Sequence, residues 1–162
     1  MARRQFTKRV SHSQFQAMIL GMIGMEITEA RPGSGSCLLI EIGEIRKKTL
    51  KGRLGKLHRF HEGQFGLMIE FDWRVERARS IEFGSASAMR KMDRGIAGLK
   101  GETIAGIELI GDIPELKVSL SSGRRLVSFM TLESQPSWVI FLNFHESWIH
   151  VIRGCLYHSN QT

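Results

Sequence analysis

The chain has 162 residues, 42% of them apolar and 24% charged, a balance ordinary for a globular protein that excludes disorder by composition over most of its length, and its two cysteines are too few for a disulfide framework. Lys and Arg number 23 against 16 Asp and Glu, for a formal net charge of +7. That surplus bears on association rather than on fold, and inclines the chain towards nucleic acid, anionic lipid or an acidic protein. No apolar segment is long enough to span a bilayer as a helix, and the N-terminus lacks a signal-peptide apolar core, so a cytoplasmic location is expected.

In chain order, residues 1–12 form a basic arm carrying Arg3, Arg4, Lys8 and Arg9. The arm resembles the arginine-rich entry to cyclic-dinucleotide-binding PilZ domains. The Asp/Asn-x-Ser-x-x-Gly turn that such domains carry on the following strand is absent, so no family is assigned. From Ser13 to Ile23, the residues Phe15, Met18, Ile19, Met22 and Ile23 recur at spacings of three and four. That stripe predicts a helix capped by Ser11 or Ser13 and closed by Gly24. Strands are expected over 26–31 and 37–42, joined by the turn Pro32-Gly33-Ser34-Gly35-Ser36. Further strands are expected over 67–71 and 80–83.

A second helix is predicted from Met89, Met92, Ile96 and Leu99, capped by Ser85 or Ser87 and closed by Gly101. Strands then follow over 104–110, 116–120, 125–130, 138–142 and 148–152. Leu116, Val118 and Leu120 alternate with Lys117 and Ser119, the period-two pattern of a half-buried strand, and Ser121-Ser122-Gly123 is a hairpin turn.

The two halves echo one another. Residues 20–27 match 97–104 at an offset of 77, and residues 62–69 match 133–140 at an offset of 71. This suggests two similar units, 13–84 and 85–158, with a tail at 159–162 and a surplus of about six residues in the first unit, in or near its basic stretch. The expected fold is α+β and β-predominant: two helix-plus-antiparallel-meander units packed into one compact body, sandwich or barrel-like.

The stretch 46–59 holds seven cations in fourteen positions and no acid: Arg46, Lys47, Lys48, Lys51, Arg53, Lys56 and Arg59. It reads as a solvated hairpin tip, or as an anion- or partner-binding loop. Leu50, Leu54 and Leu57, at spacings of four and three, also allow a short basic amphipathic helix. His58, His61 and Glu62 would put the two histidines on opposite faces of a strand, which disfavours a shared metal. The pairs Glu41 with Glu44 and Glu70 with Asp72 read as solvent-facing acids, and Trp73, Trp138 and Trp148 as packing residues. Cys37 and Cys155 read as small buried apolar groups, with one bridge between them as the alternative. No nucleophile elbow or phosphate loop occurs, so no catalytic residue, metal or cofactor is assigned.

The leading functional expectation is a small non-catalytic binding protein that presents the basic loop to a protein or an anionic polymer. The alternative is a nucleic-acid-binding protein using the same patch. A third reading is an enzyme with a pocket between the units, with His58, His61 and Glu62 as its first candidates.

Overall fold

The computed structural model describes residues 5–51, 56–70, 72–133 and 135–161. Its elements are β1 (Gln5–Arg9), α1 (His12–Ile19) running into a 3₁₀ turn (Leu20–Met22), β2 (Ile27–Pro32), β3 (Leu38–Lys51), β4 (Leu57–Ile69), β5 (Trp73–Arg77) and β6 (Ser80–Gly84). After them come α2 (Met89–Ala97), β7 (Ile104–Ile110), β8 (Glu115–Leu120), β9 (Arg124–Ser128), β10 (Trp138–Leu142), a 3₁₀ turn (Asn143–His145), β11 (Ser147–Ile152) and β12 (Cys155–Gln161). The protein is a β-rich α+β body of two antiparallel sheets, ordered β1-β12-β11-β10-β4-β3-β2 and β6-β5-β9-β8-β7.

The halves interlock. The meander β2-β3-β4 builds the larger sheet, and β5-β6 crosses into the smaller one. The meander β7-β8-β9 builds the smaller sheet, and β10-β11 crosses into the larger one, so residues 13–84 and 85–158 each supply both sheets. The crossings join β4 to β10, with Ile69 opposite Trp138, and β5 to β9, with Trp73 opposite Ser128.

The segments of the first sequence match face each other at the seam. Gly24 N–H donates to Ile104 O and Gly101 N–H to Ile27 O, both at 2.8 Å. Ile27 N–H donates to Glu102 O at 2.7 Å and Ile104 N–H to Met25 O at 2.8 Å, around an antiparallel bridge between Glu26 and Thr103. Both glycines lie at positive φ, +85° and +88°, a left-handed conformation that a side chain resists and that turns the chain from helix into strand. The second match fares differently. Its segments fall on β4 and β10, neighbouring antiparallel strands with Leu67 opposite Ile140, so they are partners and not the same element of two units. The apolar runs of two paired core strands resemble each other because both face the same core. The estimate of a six-residue surplus goes with that match; β3 and β4 span 14 and 13 residues where β8 and β9 span 6 and 5.

The core fills the space between the sheets and under the helices. Phe15, Ile19 and Met22 from the α1 segment, and Met92, Ile96 and Leu99 from the α2 segment, are buried, as the helical stripes require. Ile23 and Met89, expected in the same stripes, are exposed instead: Ile23 is extended past the 3₁₀ turn, and Met89 is the first residue of α2. Ser11 caps α1 through a capping box with Gln14, worth about 1 kcal/mol. Neither Ser85 nor Ser87 caps α2, whose N-cap is Ala88. Their hydroxyls accept instead from Trp73 N–H and Gly84 N–H, tying down the end of β6.

Residues 5–9 of the basic arm are strand β1, paired with β12, and residues 159–161 of the expected tail lie in β12. Cys37 and Cys155 are both free and half-buried, so the bridge does not form. No helix among the described residues is long and apolar enough to cross a membrane.

Candidate anion-binding ribbon

The basic stretch is neither a loose loop nor a helix over its described part. Pairing organises it: β3 and β4 run past the sheet as a two-stranded ribbon, in register from Ile45 opposite Gly63 to Lys51 opposite Leu57. Leu50 and Leu57 therefore sit on different strands, which removes the amphipathic helix at those positions. Arg53 and Leu54 lie outside the described residues, as do the side chains of Leu50 and Lys51.

The ribbon's root is a bulge. The register shifts between Ile42 and Ile45, with Gly43 at φ +78°. A side chain at Gly63 would meet backbone at 2.7 Å from Ile42 N and 2.8 Å from Phe65 O, so only glycine fits this bend. The Gly63 peptide is gripped on both sides: its N–H donates to Glu41 Oε2 and its carbonyl accepts from Asn143 Nδ2, both at 2.8 Å. Burial pushes the Glu41 carboxyl above its ordinary range, and the Gly63 N–H works against that rise.

Directly opposed residues share a face, so register sorts the side chains into two sets. One face carries Arg46 with Glu62, Lys48 with Phe60, and further out His58. Its cations are held. The Arg46 guanidinium lies 3.3 Å from the ring centroid of Phe144, a cation–π contact. Lys48 Nζ reaches both oxygens of Glu62, at 2.9 and 3.1 Å. The opposite face carries Lys47 with His61, Thr49 with Arg59, and further out Leu57. At its base His61 Nδ1 meets Glu29 Oε1 at 2.9 Å. Beyond that contact Lys47, Thr49 and Arg59 are exposed, as is Lys56 on the approach to β4. Among the described residues, no acid lies within ion-pair distance of Lys47, Lys56 or Arg59.

Of the seven cations singled out in the sequence, the structure thus braces Arg46 and Lys48 and leaves Lys47, Lys56 and Arg59 open. The enzyme candidates do not converge. His58 and His61 point to opposite faces, and Glu62 is engaged by Lys48. Among the described residues, no three His, Cys, Asp or Glu side chains are grouped to hold a metal. Sequence reasoning missed the bracing residues Glu29, Asn143 and Phe144, which lie outside the basic stretch, and misread Glu41 as a solvent-facing acid: it is half-buried on the Gly63 N–H, and only Glu44 of that pair is exposed. The ribbon itself had a signal: Gly52 and Gly55 sit at the middle of that stretch, where a hairpin would turn.

Elsewhere, between the β1–β12 end of the larger sheet and the β7–β8 turn of the smaller one, a concavity is lined by Arg9, Ser11, His12, Asp112, Pro114 and Cys155. It sets one carboxylate against one guanidinium and so lacks the ribbon's charge excess. The chain matches no family model, no curated protein and no solved structure.

Proposed function

We propose that this protein is a non-catalytic binding module that presents the open face of the β3–β4 ribbon to an anionic partner. The observation that carries the reading is the division of the ribbon's charge. On one face Arg46 is held to the body by Phe144 and Lys48 is neutralised within the ribbon by Glu62, while Lys47, Lys56 and Arg59 stand exposed with no acid in ion-pair distance among the described residues. Unpaired cations on a projecting element raise the local concentration of anions and steer their approach, at a strength that salt controls. The grip on the Gly63 peptide supports the same reading, because a ribbon fixed at its root loses less freedom on binding.

We also propose that the chain is built from two copies of one helix-and-meander unit. The paired seam bonds of Gly24 with Ile104 and Gly101 with Ile27, at one offset throughout, support it.

Heparin chromatography tests the binding reading. The wild-type chain should be retained at low salt, and the triple variant K47E/K56E/R59E should elute at distinctly lower salt with unchanged circular dichroism. Flow-through of the wild-type protein, or coincident elution of the two, would reject it.

A further inference from the structure

We infer that the partner of the ribbon is double-stranded DNA, entered through its major groove by the face bearing Lys47, Thr49 and Arg59; this rests on the anion-binding reading above.

Shape comes first. Seven register pairs, from Ile45–Gly63 to Lys51–Leu57, extend over about 20 Å at about 3.4 Å per residue, with the strands about 4.8 Å apart. The major groove of B-form DNA is about 12 Å wide and admits a two-stranded β-ribbon without deformation, whereas strands enter the minor groove, about 6 Å wide, in proteins that kink or bend the duplex. The major groove of an RNA duplex is too deep and narrow for side chains to read.

Chemistry agrees with shape. Lys47 and Arg59 stand on different strands of one face, so they reach towards the two phosphate walls or down to base edges. An arginine fork pairs with guanine O6 and N7, and a threonine offers a hydroxyl and a methyl to neighbouring bases. A protein partner would call for an apolar or aromatic anchor at the centre of the contact. Among the described residues the open face has apolar members only at its two ends, half-buried Ile45 at the root and Leu57, 63% exposed, at the far end of the paired region, while Phe60 faces the other way.

The test is fluorescence anisotropy of the full chain with a labelled 20-base-pair DNA duplex, the matched single strand, the matched RNA duplex and polyglutamate, between 50 and 200 mM salt. The DNA duplex should bind at least about tenfold more tightly than the other three, with log K falling against log salt at a slope between about −3 and −6. Those limits correspond to the three open cations and to all seven. K47E/R59E should weaken duplex binding at least about a hundredfold, and R46Q/K48Q, on the braced face, less than about fivefold. Methyl green, a major-groove ligand, should displace the protein, and the minor-groove ligand distamycin should not. Equal affinity for polyglutamate, the single strand or RNA, or displacement by distamycin alone, would overturn the DNA inference and leave the anion-binding reading standing. Failure to bind any of the four, together with flow-through on heparin, would overturn both.

Discussion

Trp73 and Trp138 each open the strand that crosses from one half's meander into the other sheet, and each ties that strand back to its own half. Trp73 Nε1–H donates to Ser36 O at 2.7 Å, in the turn before β3, and Trp138 Nε1–H donates to Pro114 O at 3.0 Å, in the turn before β8. Both side chains are essentially buried, at 1% and 0% exposure, and each packs edge-on against a phenylalanine with centroids 6.0 Å apart: Phe83 for Trp73 and Phe15 for Trp138. Two crossings thus share one device, a large ring in the core with its polar edge on a turn carbonyl.

The device sets a stability cost that urea denaturation would measure. W138F removes the indole N–H and leaves the buried Pro114 carbonyl without that donor, so a loss of about 1–3 kcal/mol is expected. W138A adds a cavity and should lose about 3–5 kcal/mol. A W138F variant as stable as wild type would show that the Pro114 contact contributes nothing.

The seam predicts matched costs at two positions far apart in sequence. A methyl group at Gly24 or Gly101 would meet nothing within 4 Å, so the cost of each alanine substitution is the left-handed backbone alone. G24A and G101A should each lose about 1–2 kcal/mol in chemical denaturation. Costs that differ by more than about twofold would mean that the two turns do not bear equivalent loads.

Acid should weaken the fold below neutrality through two histidines in the larger sheet. Burial lowers the ring pKa of His150, stacked on Tyr157 at 5.8 Å. Burial, and then the charge of Lys8, lowers that of His158. Both bind protons more readily when unfolded, so their contribution is complete above about pH 6.5 and is lost as pH falls towards the folded-state values. The slope reaches at most about 1.4 kcal/mol per pH unit for each. Denaturation midpoints of H150Q and H158Q followed from pH 7.5 to 5 should decline less steeply than wild type. Parallel curves would remove the two histidines as the cause.

Glu41 acts with the opposite sign. Its carboxyl is raised by burial, so the fold loses stability as pH rises from about 4.5 through the folded-state pKa, and below about pH 4.5 that cost is absent. E41Q keeps an acceptor for the Gly63 N–H without the charge and should raise Tm at pH 7, with the difference vanishing near pH 4. E41A strands that N–H and should lower Tm at both values.

What the sequence disclosed follows from where its side chains point. Leu116–Leu120 and Trp138–Leu142 lie in strands as expected, because one alternates and the other is an apolar run buried in the larger sheet. β1 and β12 escaped notice because Phe6, Lys8, His158 and Asn160 lie towards the sheet's edge, where no continuous apolar pattern is required. The ribbon carries no core pattern for the same reason: it projects past the sheet, and its pairing is set by partners across the hairpin. The basic cluster was legible in the sequence as composition, but its two faces were not. Register alone separates Lys47 from Lys48, and the residues that brace the root come from β2, β3 and the turn at Asn143–His145.

The most direct measurement exchanges residues 47–61 for Asn-Gly, closing a two-residue hairpin on the Arg46–Glu62 pair. If the ribbon is the binding element, this variant should keep the wild-type circular dichroism and cooperative unfolding while passing through heparin unretained at low salt. A folded variant that still elutes with the wild-type protein would contradict the assignment of binding to the ribbon.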